Sequence, residues 1–168
     1  MVSIKSLLII RHAKSSWDDL SQKDFDRPLN NRGKKDAPEM AKRICKEKGV
    51  KLDAIISSPA NRAFTTAKFF AEEFDIKKKN IIKWPELYEA SVDKFYKAVM
   101  ALSDDCATAA VFSHNPGITA FANSLTNVHV DDMPTCAIYA VHIQTGSWKD
   151  FKTAKKEFWF FDYPKSVL

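Results

Sequence analysis

Long apolar stretches are missing from this chain. No segment approaches the roughly 20 apolar residues that cross a bilayer. The run Leu7-Leu8-Ile9-Ile10 is ended at once by Arg11, too short for the core of a secretory leader. Cysteine is scarce: Cys45, Cys106 and Cys136 form no CxxC pair and no metal-like cluster. A sparse, odd count argues against a disulfide framework and for a reducing compartment. Basic tracts are nearly absent, Lys77-Lys78-Lys79 being the one triple run, which falls short of a nucleic-acid tail. There is no internal repeat, linker or low-complexity segment. These absences point to a cytoplasmic globular protein with neither membrane nor nucleic acid as partner; they leave its oligomeric state open.

What is present fits one ordinary domain, residues 1–168, a length that buries about two-thirds of the unfolded surface. Hydrophobic residues make up 45% and charged residues 28%, a globular balance. Lys and Arg outnumber Asp and Glu by 26 to 21, a net charge of +5, which suits an anionic ligand.

Three apolar runs stand out, one within Ile4 to Ile10, a short one at Leu52 to Ile56 and one at Thr108 to Phe112, the pattern of strands buried on both faces. Between them lie helical stripes. Gly33 to Lys48 carries Ala37, Met40, Ala41, Ile44 and Cys45, has Pro38 early, and is closed by Gly49. Asn61 to Phe74 carries Phe64, Ala67, Phe70, Ala71 and Phe74. Ser91 caps a further helix with Phe95, Val99 and Leu102 inward, and Ile118 to Leu125 reads as another. Ile81 to Trp84, Cys136 to Ile143 and Phe158 to Phe161 read as strands, the last two as an antiparallel pair. The segment Ser15 to Asn31 reads as a polar loop. The alternation predicts an α/β fold, a three-layer α/β/α sandwich whose central sheet is mostly parallel with an antiparallel C-terminal edge.

Ligands of open α/β sheets bind beyond the carboxyl ends of the strands. Arg11 and His12 follow the first run, Ser57-Ser58-Pro59 and then Arg62 the second, and His114 the third, with Arg27 in the loop after the first strand. Taken singly, Arg27 and Arg62 read as surface residues and His114 as a hydrogen-bonded strand end. Their joint placement has chemical meaning. Guanidinium forks match phosphate oxygens. A neutral imidazole is a nucleophile that forms covalent intermediates, and a second, protonated histidine can bond the same oxygens.

These residues also carry a resemblance. Leu7 to Ala13, ending Arg11-His12-Ala13, resembles the RHG/RHA motif of the histidine phosphatase superfamily, the phosphoglycerate mutase-like proteins. Arg27-Pro28-Leu29, Asn31-Arg32-Gly33, Ser57-Ser58-Pro59 with Arg62, Ala63 and Thr66, and Val111 to Pro116 are similar to its short SixA-type phosphohistidine phosphatases. The likeness spans about Ile4 to Ile143. It implies His12 as the phosphoryl-accepting nucleophile, Arg11, Arg27 and Arg62 as phosphate clamps, and His114 as the second pocket histidine, with no metal or cofactor. Ala13 stands where glycine is more familiar. The chain is too short for the helical insertion of larger members, which implies an open pocket and a substrate displayed on a protein.

Release of an alkoxide needs an acid. Glu89 sits where many superfamily members place it; Glu86 lies close by, and Asp18 and Asp19 after His12 are alternatives. The aromatic C-terminus from Trp148 to Phe161 reads as core, His129 and His142 as structural or exposed, and the cysteines as buried thiols. The reading is a phosphatase acting on a phosphohistidine protein or a small phosphorylated metabolite. A broad small-molecule phosphomonoesterase and a non-catalytic phosphate-recognising module are the alternatives.

Overall fold

Residues alternating along β1 (Ile4–Arg11) serve two different cores. Leu7 and Ile9 pack with Phe95, Phe121 and Trp148, while Leu8 and Ile10 pack with Met40 and Phe70. That double burial is why the run is continuously apolar. The structure, a computed structural model, describes residues 3–165. The extreme ends of the domain read as 1–168 lie outside them.

Helices α1 (Asn31–Lys42) and α2 (Asn61–Glu73) cover one face, and α3 (Val92–Met100) and α4 (Gly117–Asn123) the other. Between them lies a six-stranded sheet in the order β3-β2-β4-β1-β5-β6. Strands β2 (Ala54–Ser57), β3 (Ile82–Lys83) and β4 (Thr108–Ser113) run parallel with β1. Strand β5 (Ile138–Gln144) pairs antiparallel with β1, and β6 (Lys156–Asp162) antiparallel with β5. The three-layer arrangement and its antiparallel C-terminal edge agree with the sequence pattern.

Differences are local. Helix α1 begins two residues before Gly33, capped by the Asn30 side chain, which accepts from the Gly33 N–H. Pro38 therefore lies in its interior, where it removes a helical donor. The α-helix stops at Lys42 and continues as a π turn over Arg43–Glu47, which turns Cys45 off the core stripe and leaves it half-buried. Gly49 ends the segment at φ +62°, as a helix-closing glycine does. Cys106 and Cys136 are buried. Trp148 and Phe151 are fully buried, and Phe158 to Phe161 are half-buried on β6. His142 bonds Ser6 and stacks on Trp159, whereas His129 is exposed beside Asp131. No helix among the described residues is long and apolar enough to cross a membrane.

Candidate active site

Register builds the site. Arg11 of β1 stands opposite Ser113 of β4, so the next residue on each strand, His12 and His114, emerges at the same level. The His12 N–H donates to the Ser113 carbonyl at 3.1 Å, and the two imidazole centroids lie 5.2 Å apart. Strand β2 is in register on the other side of β4, and the Ser58 N–H donates to the Phe112 carbonyl. That places Ser58 Oγ 2.7 Å from His114 Nε2. A one-residue slip of either strand would turn these side chains to the other face.

His12 is 5% exposed. Its Nδ1 lies 2.7 Å from the Ala13 carbonyl, an acceptor only, so in the neutral ring Nδ1 carries the hydrogen and the Nε2 lone pair is free. Burial is the main reason its pKa falls well below the usual value, with His114, Arg62 and Arg11 adding to it. The backbone around it is pinned: the Ala13 N–H donates to Thr66 Oγ1, which donates in turn to the Arg62 carbonyl. This explains why Thr66 belongs with Arg62 in the sequence motif.

The two arginines nearest the histidines are each anchored by their outer nitrogens. Arg11 Nη1 donates to the Met133 carbonyl at 2.8 Å. Arg62 Nη1 donates to the Asp24 carbonyl at 2.6 Å, and its Nη2 to Asp24 Oδ2 at 3.0 Å. Among the described residues, three buried nitrogens are left without a protein partner, Arg11 Nε, Arg62 Nε and His114 Nδ1. A buried polar group in that condition calls for a ligand or water.

Beside them opens a cleft of about 420 Å³ whose wall includes Arg62, His114, Asp24, Tyr88 and Glu89. Arg11 and His12 adjoin it without forming its wall. Arg27, read from the sequence as a third phosphate clamp, stands behind Asp24. Its Nε and Nη2 donate to Asp24 Oδ1, its Nη1 to Ser15 Oγ and the Ser16 carbonyl, and its guanidinium lies 3.6 Å from the Trp17 ring centroid. It is 6% exposed and is not a cleft-wall residue.

Of the acid candidates, Glu89 lies on the cleft wall, at a backbone φ of +57°. Glu86 is exposed and off the wall. Asp18 lines a separate cleft with Asn30 and Arg32, and the Asp19 carboxylate accepts from Ser21. Gly117 holds this side of the cleft in place: a Cβ there would stand 2.2 Å from the Ala90 carbonyl, so α4 can approach the residue after Glu89 only through glycine.

Asp24 and Tyr88 were not singled out in the sequence. Asp24 sits on a single 3₁₀ turn, Asp24–Asp26, and its carboxylate accepts from Arg27, Arg62 and the Tyr88 hydroxyl. Those donors outweigh its partial burial and hold its pKa at about 2. The available signal was an acid one turn ahead of an arginine. Tyr88 packs edge-on against both His114 and Phe25. Among the described residues no group of three or more His, Cys, Asp or Glu side chains is arranged to hold a metal ion.

His114 departs from the protonated state expected of it. Burial first, then the charge of Arg62, lowers its pKa to about 3, with Asp24 opposing. The consequence for stability has a definite sign. The unfolded chain takes up this proton near 6.5 and the folded chain only near 3, so stability is intact above about 6.5 and is lost as pH falls through that window. The slope from one such group is at most about 1.4 kcal/mol per pH unit. Urea midpoints of the wild type should fall between pH 6.5 and 4.5, and His114→Gln, which cannot titrate, should show a shallower fall. Equal slopes would contradict the assignment.

Comparison with known proteins places the chain. A family model described as the histidine phosphatase superfamily (branch 1) matches residues 7–101, more than half of the chain, and the protein belongs to that superfamily. A chloroplastic protein of Arabidopsis thaliana is 29% identical over 154 residues, covering 87% of this chain and 70% of its own. Phosphoserine phosphatase 1 of Hydrogenobacter thermophilus is 38% identical over 68 residues, 39% of this chain and 31% of that one. The fold is that of the protein histidine phosphatase SixA, solved with tungstate: TM-score 0.79 and 22% identity, covering 95% of this chain and 97% of that one.

Proposed function

We propose that this protein is a phosphatase that works through a covalent phosphohistidine on His12, acting on phosphohistidine in a protein or on a phosphomonoester. The observation that carries the reading is the state of His12: a buried, neutral ring with Nδ1 tied to the Ala13 carbonyl and Nε2 left as a lone pair. A merely phosphate-binding module has no use for that arrangement. The shared fold with a protein histidine phosphatase that holds tungstate, and the partial match to a phosphoserine phosphatase, support it.

In the first step Nε2 attacks phosphorus and the bond to the leaving group breaks. Arg11 and Arg62, with unpaired Nε donors, neutralise the charge that gathers on the equatorial oxygens. His114 serves as a neutral donor: with the Ser58 hydroxyl donating to Nε2, the unpaired Nδ1 carries the hydrogen. Arg27 contributes its positive charge and orders Asp24. Glu89 protonates a leaving alkoxide. In the second step water attacks phosphorus, the P–N bond breaks, and His12 returns to its neutral form. Neither step calls on a resident metal or cofactor. The proposed setting is the cytoplasm, and the proposed partner is the phosphorylated substrate itself.

The test is hydrolysis of an aryl phosphate by the purified protein, inhibited competitively by tungstate. Tungstate binding without any release of phosphate would favour the binding-module reading.

A further inference from the structure

The charges on the cleft wall are arranged by depth. The buried end holds cationic and donor groups: the Arg62 side chain is 7% exposed and that of Arg27 behind it 8%. The unpaired, buried Arg62 Nε and His114 Nδ1 independently mark this end as the ligand end. The open end is anionic. The Asp24 side chain is 50% exposed, and Glu89 is exposed beside it. Tyr88 is fixed between them, its hydroxyl donating to Asp24 Oδ2 at 2.7 Å. The chain as a whole carries a net charge of +5, so the mouth of the cleft is opposite in sign to the molecule that surrounds it.

We propose that Asp24 is a specificity-determining residue: it makes the mouth favour phosphoryl compounds whose leaving group is neutral or cationic, and turns away those that carry a second anionic group. The inference rests on the phosphatase reading above. A phosphoryl group held by Arg62 must lie close to the Asp24 carboxylate, since Asp24 Oδ2 is itself only 3.0 Å from Arg62 Nη2. The leaving group then leads outward past Asp24 and Tyr88. Three donors keep Asp24 ionised, Arg27, Arg62 and Tyr88. Its negative charge is therefore present at any ordinary pH, and half of the side chain faces the path. The imidazole of a phosphohistidine meets this requirement; a phosphorylated carboxylic acid or a bisphosphate does not. A unit charge at contact range near a protein surface changes affinity by about tenfold.

A matched pair of small substrates reads this directly. Phosphoethanolamine and phosphoglycolate are two-carbon alkyl phosphates that end in an ammonium and a carboxylate. The two differ by two unit charges, so the wild type should favour phosphoethanolamine in kcat/KM by about a hundredfold, and Asp24→Asn should bring the ratio to within about twofold of one. Any disturbance of Arg62 by that substitution affects both substrates, and the ratio removes it. Should Asp24→Asn fail to fold, the wild type alone decides. Its ratio should narrow as ionic strength rises from about 0.05 to about 0.5 M, because exposed charge is screened and shape is not. A ratio unchanged by the substitution, or constant with salt where the variant does not fold, overturns the inference. An aryl phosphate is the control. If the wild type does not hydrolyse it, the phosphatase reading fails and this inference falls with it. If it is hydrolysed while the ratio stays near one, only the inference fails.

Discussion

Replacing His12 by alanine should lower turnover by about 10⁴-fold or more and leave the fold in place. The ring sits at the end of β1, where its neighbours are functional groups: the His114 ring, Arg11 and Arg62. Truncation removes one side-chain hydrogen bond, to the Ala13 carbonyl, worth about 1 kcal/mol. The strand hydrogen bonds made by the His12 N–H and carbonyl do not involve the side chain. What is lost is the atom proposed to bond phosphorus, and the arginines cannot substitute for a nucleophile. Losses of this size are what removal of a covalent nucleophile produces. Circular dichroism and the urea midpoint serve as the folding check. Phosphate release that survives in a folded His12→Ala protein would sink the mechanism.

The second large effect depends on the substrate. Glu89→Gln should slow alkyl monoesters by about 10²–10⁴-fold and leave phosphohistidine hydrolysis nearly unchanged. An alkyl phosphate departs as a high-energy alkoxide unless it is protonated in the transition state, whereas an imidazole leaves with little help. Glutamine keeps the size and the exposed position and removes the proton. The backbone offers a second variant. Glu89 stands at a φ of +57°, where a side chain costs about 1–2 kcal/mol. Glu89→Gly should be no less stable than the wild type and as slow on alkyl esters as Glu89→Gln. An equal loss on both substrate classes would make Glu89 a binding or structural residue. No loss on either would remove it from the mechanism.

The fold was legible where burial is two-sided. Strands β1, β2 and β4 announce themselves as apolar runs with no polar alternation at their centres, in β1 because Leu7 and Ile9 face one core and Leu8 and Ile10 the other. The sequence also showed that Arg11, His12, Arg62 and His114 follow those runs, and parallel register then brings the two histidines to 5.2 Å. What stayed hidden is tertiary. Asp24 lies in a loop without periodicity, and its importance comes from partners 3, 38 and 64 residues away in sequence. For the same reason Arg27 could be seen as a phosphate ligand but not as the residue that holds Asp24. The neutral state of His114 is a sum over burial and charges brought in by several elements, none of which is adjacent in sequence. The π turn after α1 begins at Arg43, whose side chain meets Asp162 of β6 at 3.0 Å, a contact across 119 residues that no local pattern shows.

The most direct test of the central claim is to catch the intermediate. The wild-type protein is mixed rapidly with a substrate labelled in its phosphoryl group, quenched in alkali rather than acid, and digested to locate the label. A phosphohistidine has a P–N bond that survives base and breaks in acid. The account predicts a base-stable, acid-labile label on the peptide that contains His12, absent from His12→Ala. A label on any other residue, or steady phosphate release under conditions where no such adduct can be trapped, would contradict it.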